Sequence, residues 1–243
     1  MSRLQTSISE GRRLLTVPAL IEANTARKPL LDTANHWRSF IRMGDQYLES
    51  IQRVVAAAQA ASDAEDQLTA RRANADVSGA MRRVVAVTGK AYEHFRDGRL
   101  ALYEVAKLYG VKVTRSSPKY GKKPVPLKMQ SDKELRSALA KNGAGIGSGI
   151  RQMLDLGARA SNEFRMAAQA GEDMPGELAS ALVNRGLDFR DSVSTNVFAR
   201  SNSVMRRAAE LSKRSWELMM MEDSKLGWEA PWLHDPEIGN IEA

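Results

Sequence analysis

Residues 30, 34, 37, 41, 44, 48, 51, 55 and 58 follow one another in alternating steps of four and three. They are Leu30, Ala34, Trp37, Ile41, Gly44, Leu48, Ile51, Val55 and Ala58. A helix carrying this pattern has an apolar seam about four heptads long and must bury it against another helix. The pattern returns at Val77, Met81, Val84, Thr88, Ala91, Phe95, Gly98, Leu102, Val105 and Tyr109. Two such seams joined by a short polar stretch predict a long antiparallel helical hairpin over 29–110. Pro29 is read as opening its first helix, and the turn is placed near Asn74, where polar residues have taken over.

Downstream of the hairpin, Ser131 and Glu134 form a capping box at the start of "SDKELRSALAK". The glycines at 143, 145, 147 and 149 read as a helix-to-helix turn or a place of close helix packing. A further helix is expected from about Ile150 to Ala170, burying Ile150, Leu154, Ala158 and Phe164. Pro175 opens a last long helix through Leu178, Leu182, Phe189, Val193, Val197, Val204, Ala208, Leu211 and Leu218. The fold class is therefore all-α: an elongated helical bundle built on the hairpin. Its parts are an N-terminal amphipathic arm (1–28), the hairpin (29–110), a basic insertion (111–130), a second helical segment packing on the hairpin (131–222) and an acidic tryptophan-containing tail (223–243).

The insertion, "VKVTRSSPKYGKKPVPLKMQ", holds Lys112, Arg115, Lys119, Lys122, Lys123 and Lys128 and no acid. Val111 and Val113, and then Val125, Leu127 and Met129, alternate with polar or proline residues as in two short strands around a basic tip. Pro124 and Pro126 weaken the second strand. The stretch is either a β-hairpin-like projection or an extended crossover. In the first case its cations would contact phosphates, with Tyr120 able to stack on a base. The polyanion-binding candidates are thus Lys112, Arg115, Lys119, Tyr120, Lys122, Lys123 and Lys128. A helix-turn-helix reading of Ala106 and Gly110 fails because Pro118 falls inside the would-be recognition helix.

Charge sharpens the reading. The chain carries +7, but Glu222–Ala243 holds six acids and one lysine, so the tail is −5 and the rest about +12. A basic body with an acidic tail suits a polyanion or a tail that docks on a basic neighbour. Trp216, Trp228 and Trp232 are the candidate partner-binding residues there, whether the tail folds back or reaches a neighbour.

Catalytic and cofactor chemistry find little support. With no cysteine, disulfides, thiolate zinc sites and cysteine nucleophiles are excluded. His36, His94 and His234 lack the helical spacing to other ligands that zinc or di-iron bundles use. The glycine run follows a helical pattern and lacks the Walker and GxGxxG spacings. Glu93 with Asp97 is the one carboxylate pair to consider, and acids four apart on a helix are usually a solvated face. Neither metal, cofactor nor small-molecule substrate is expected.

"GRRLLTVPALIEA" superficially looks like a twin-arginine signal, but its apolar run is short, contains Pro18 and ends at Glu22. No stretch reaches the roughly 18–20 apolar residues of a membrane span. The expectation is a non-enzymatic structural or assembly protein of the cytoplasm, or of a particle assembled there. It would be a coiled-coil-like helical component of a larger virion-like or nucleic-acid-handling complex, with partners that are copies of itself or other subunits. The alternatives are an accessory protein binding DNA or RNA through 111–130, and a helical protein lying on a membrane surface.

Overall fold

A computed structural model describes residues 17–113, 125–170 and 174–218. These form α1 (Val17–Arg42), α2 (Gly44–Asp63), α3 (Gln67–Leu108), α4 (Asp132–Ala170), α5 (Gly176–Val193) and α6 (Arg200–Leu218). Among the described residues there is no strand. Only Met43 interrupts the helix between α1 and α2. Between α5 and α6, Ser194–Ala199 winds as a π-helical segment. The described residues thus make four long helical rods, α1–α2, α3, α4 and α5–α6.

Cross-rod contacts fix the topology. Trp37 and Phe40 meet Gly98 and Phe95, so α3 runs antiparallel to α1–α2. Arg136 bonds Ser62 and Asp63, Gly143 lies against Val55 and Gly157 against Ile41, so α4 is also antiparallel to it. Phe189 packs on Trp37 and Ser215 donates to the Ala61 carbonyl, which makes α5–α6 parallel to the first rod. The order is up, down, down, up. At the upper end lie the α2–α3 turn, the start of α4 and the end of α6. The start of α1 and the end of α3 lie at the lower end.

Local signals explain where the rods begin and stop. The hairpin turns at 64–66, not near Asn74. Asp66 accepts from the Thr69 amide (2.9 Å) and hydroxyl (2.6 Å), a complete N-cap. Asn74 is buried one turn further on, held by the Ala70 carbonyl and by Ser212 and Ser215 of α6. At the other end, Gly110 takes φ +63° while the amides of Val111 and Gly110 bond the carbonyls of Ala106 and Lys107. That Schellman closure is the role of the Ala106–Gly110 spacing. α1 begins upstream and runs through Pro29, where the sequence reading opens the helix. The Ser131–Glu134 capping box forms as expected, the Glu134 carboxylate accepting from the Ser131 amide at 2.7 Å.

The glycine run lies inside α4 and does not break it. Gly143 and Gly147 approach Val55 and Leu48 of α2, while Gly145 and Gly149 approach Arg200 and Asn196 on the other rod. Spacing of four keeps each pair on one face. Without side chains there, two rods can close on α4 at once. The Arg200 guanidinium donates to the Gly145 carbonyl at 2.8 Å across that gap.

In the lower half all five phenylalanines of the chain join Trp37 in one buried cluster drawn from every rod: Phe40, Phe95, Phe164, Phe189 and Phe198. Most pairs are edge-to-face, with ring centroids of 4.8–6.2 Å for Trp37–Phe189 and Phe40–Phe198. Such pairs each add about 0.5–1.5 kcal/mol beyond burial. Every apolar residue of the second seam from Val77 to Val105 is buried. The first seam is wider than read, because Phe40, Tyr47, Val54 and Ala61 are buried as well. Its rod packs against three others. Two seam assignments are wrong: Ala158 and Leu178 are exposed. Met153 and Gly157 take the buried α4 positions, Gly157 because Phe189 and Ile41 leave no room for a side chain.

Candidate functional site

The predicted polyanion residues are not gathered in one place. Lys112 is exposed just past the Schellman turn at the lower end. Lys128 is exposed in a 3-10 turn, Leu127–Met129, at the upper end. Arg214 of α6 anchors that turn, donating to the Leu127 (3.2 Å) and Gln130 (2.8 Å) carbonyls and to Asp132 (2.6 Å). The Asp132 bond also raises the Arg214 pKa above its ordinary value. From Asn74, level with this anchor, to Tyr109 the rod rises roughly 50 Å. The strand-like runs at Val111–Val113 and Val125–Met129 are therefore unpaired with each other. The second is not a strand, because Pro126 (φ −54°) and Arg214 impose the turn. Arg115, Lys119, Tyr120, Lys122 and Lys123 lie outside the described residues, as do Trp228, Trp232 and the side chain of Trp216.

What the structure brings together instead is apolar surface. Leu68, Leu100, Leu108, Val125, Met129, Met166 and Leu178 are exposed, from 44% at Leu108 to 77% at Met129. In the register above, Leu68, Val125 and Met129 lie at the level of the upper end. Leu100, Leu108, Met166 and Leu178 lie at the level of the lower third. Among the described residues, no large apolar side chain is exposed on the shaft between them.

Buried polar groups punctuate the described interior at several levels. At the upper end Asn74 links α3, α6 and, through Ser215, the Ala61 carbonyl that ends α2. Arg136 serves the same helix end by bonding Ser62 and Asp63. Mid-bundle, burial pushes the Tyr47 phenol far above its usual range, with the Ser201 and Thr88 hydroxyls beside it pulling the other way. A cavity of about 10 Å³, bordered by Met43, Gly44, Tyr47 and Val197, lies between the Met43 interruption and the π segment. It has room for one water at most. Lower down, buried Arg190 donates to Tyr103 (2.9 Å) and Asp191 (2.8 Å). Burial opposes its charge, but these partners outweigh it and the net pKa is raised.

His36 and His94 face each other across α1 and α3 with ring centroids 6.2 Å apart. No group of three His, Asp or Glu among the described residues could hold a metal. Glu93 is exposed, and Asp97 pairs with Arg96 at 2.9 Å. No helix among the described residues is long and apolar enough to cross a membrane. Neither a known protein family nor any curated protein or solved structure matches this chain.

Proposed function

We propose that this is a non-enzymatic structural protein whose copies join through the ends of the bundle, as a helical component of a larger, virion-like or nucleic-acid-handling complex. The observation that supports the reading is the placement of exposed apolar side chains at the two ends of the rod, with the shaft between them polar and charged. Exposed apolar clusters rimmed by polar residues mark interaction surfaces. Unlike patches at opposite ends favour head-to-tail contact, which builds rings or filaments. In this reading the molecule is an elongated hairpin-based bundle with a basic insertion at 111–130 and an acidic tail at 223–243, and it acts inside the cell.

Light scattering on nuclease-treated protein in high salt tests the proposal, because salt screens charge but strengthens apolar association. The full chain is expected as a defined oligomer or a concentration-dependent series. Leu68→Glu with Met129→Glu at one end, or Leu108→Glu with Leu178→Glu at the other, should each return it to monomer. A monomeric wild type at all concentrations, or oligomers that survive both pairs, would sink the reading.

A further inference from the structure

The outer face of α3 carries a second feature, independent of the bundle ends. Between residues 67 and 92 this helix holds Arg71, Arg72, Arg82, Arg83 and Lys90 against a single acid, Asp76. All five cations are exposed. By contrast, the first rod carries five basic and five acidic residues over 17–63. The doublets are eleven residues apart, close to three helical turns, so they fall on the same side of the rod. Arg71 and Arg82 form one row. Arg72, Arg83 and Lys90 form the other, roughly 100° around the axis. The floor between them is shallow: Ala75 and Ala86 are exposed, and Gly79 has no neighbouring atom within 4 Å of where a side chain would begin. Acids flank the array at both ends, Asp66 beside Arg72 and exposed Glu93 three residues past Lys90.

We infer that this face binds the phosphate backbone of a nucleic-acid duplex without reading its sequence. Three properties of the face select this occupant. Between Arg71 and Lys90 it exposes no large apolar residue, whereas a helix lying on a membrane needs apolar side chains to insert. It also exposes none of the tryptophan or tyrosine side chains that, with arginine, anchor protein–protein interfaces. No aromatic side chain is exposed on it for unpaired bases to stack on, as single-strand binders require. What remains is a straight array of cations about 28 Å long, with two rows flanking a small-residue floor. It presents positive charge to the phosphates of a duplex, the contact that supplies affinity without sequence information.

The test uses the full chain and two fluorescent 20-base-pair DNA duplexes of unrelated sequence, followed by anisotropy from low to moderate salt. Both duplexes are expected to bind equally, with log K falling linearly with log salt. Arg82→Glu/Arg83→Glu/Lys90→Glu should weaken binding at least tenfold and flatten the salt slope by about 2.7, at about 0.9 for each lost phosphate contact. The neutral set Arg82→Gln/Arg83→Gln/Lys90→Gln should move both in the same direction. Lys141→Glu/Arg151→Glu/Arg159→Glu changes the net charge equally on exposed positions of α4, and it should leave the slope nearly unchanged. The inference is overturned if the wild type does not bind at low salt, or if the α4 set costs as much as the α3 set. It is equally overturned if the α3 sets bind like wild type while Lys119→Glu/Lys122→Glu/Lys123→Glu does not. Circular dichroism confirms that each variant is folded.

Discussion

One substitution, glycine to alanine, should destabilise at one position and stabilise at two others on the same helix. At Gly98, an alanine methyl would sit closer than 3.0 Å to Cδ1 and Nε1 of Trp37. That indole cannot retreat, since it is fully buried with Phe164 and Phe189 edge-on at 5.6 and 4.8 Å. Overpacking a closed core costs about 1–3 kcal/mol or more. The helical preference for alanine returns about 1 kcal/mol. Both Trp37 atoms fall far inside 3.0 Å, which puts the overpacking cost in the upper part of its range, about 2–3 kcal/mol. The clash therefore wins, and Gly98→Ala should destabilise by about 1–2 kcal/mol. At Gly79 and Gly89 nothing lies within 4 Å, so the helical preference acts alone, with a gain of about 1 kcal/mol each. For a chain of this size, 1 kcal/mol moves Tm by about 2–4 °C. Thermal melts followed by far-ultraviolet circular dichroism should thus show Gly79→Ala and Gly89→Ala rising and Gly98→Ala falling. If Gly98→Ala rises with the others, the register of α3 on α1 is wrong and Trp37 does not lie beneath Gly98.

The remaining expectations concern polar groups. Asn74→Ala leaves the buried hydroxyls of Ser212 and Ser215 without their α3 partner, and should cost about 1–3 kcal/mol in urea unfolding; a neutral result would mean that the upper-end network contributes nothing. The carboxylates of Asp66 and Glu134 are held below their ordinary values, by the Thr69 hydroxyl and amide and by the Ser131 amide and hydroxyl respectively. A group depressed in the folded state stabilises above its unfolded pKa, and that contribution is lost as pH falls through the lowered folded value. Stability should therefore decline below the usual carboxylate range, less steeply in the double variant Asp66→Asn/Glu134→Gln; identical acid profiles would refute the capping argument.

Much of this architecture is legible in the sequence because helical seams report their own burial. Residues Val77 to Val105 are spaced so regularly that period alone identifies the inner face of α3. The first seam is less well read because one helix partner accounts for only a single stripe of that rod. Phe40 and Tyr47 meet Phe198 and Ser201 of the α5–α6 rod as well as Phe95 and Thr88 of α3, and no local pattern announces the additional rods. Asn74 misleads for a related reason. Polarity marks it as a turn, yet its amide is satisfied by serines some 140 residues away in sequence. Capping chemistry at Asp66 and Thr69 was the better guide, since it acts within one turn. The glycine run in α4 looks like a break by composition, and only the approach of two rods shows that helix packing requires it. As for the site, lysine density drew attention to 111–130. The paired arginines of α3 carry an equally plain signal in their eleven-residue phase, visible once the buried face of that helix is known.

The topology has one further consequence. Residues 17–108 and 132–218 each form a two-rod unit from contiguous sequence, and between the units the backbone crosses only once. A single covalent connection raises the effective concentration of one unit around the other. At high protein concentration the units of two molecules meet the same complementary faces in trans. Reciprocal exchange between chains would then preserve every contact described above, giving an intertwined dimer that separates only when its bundles unfold.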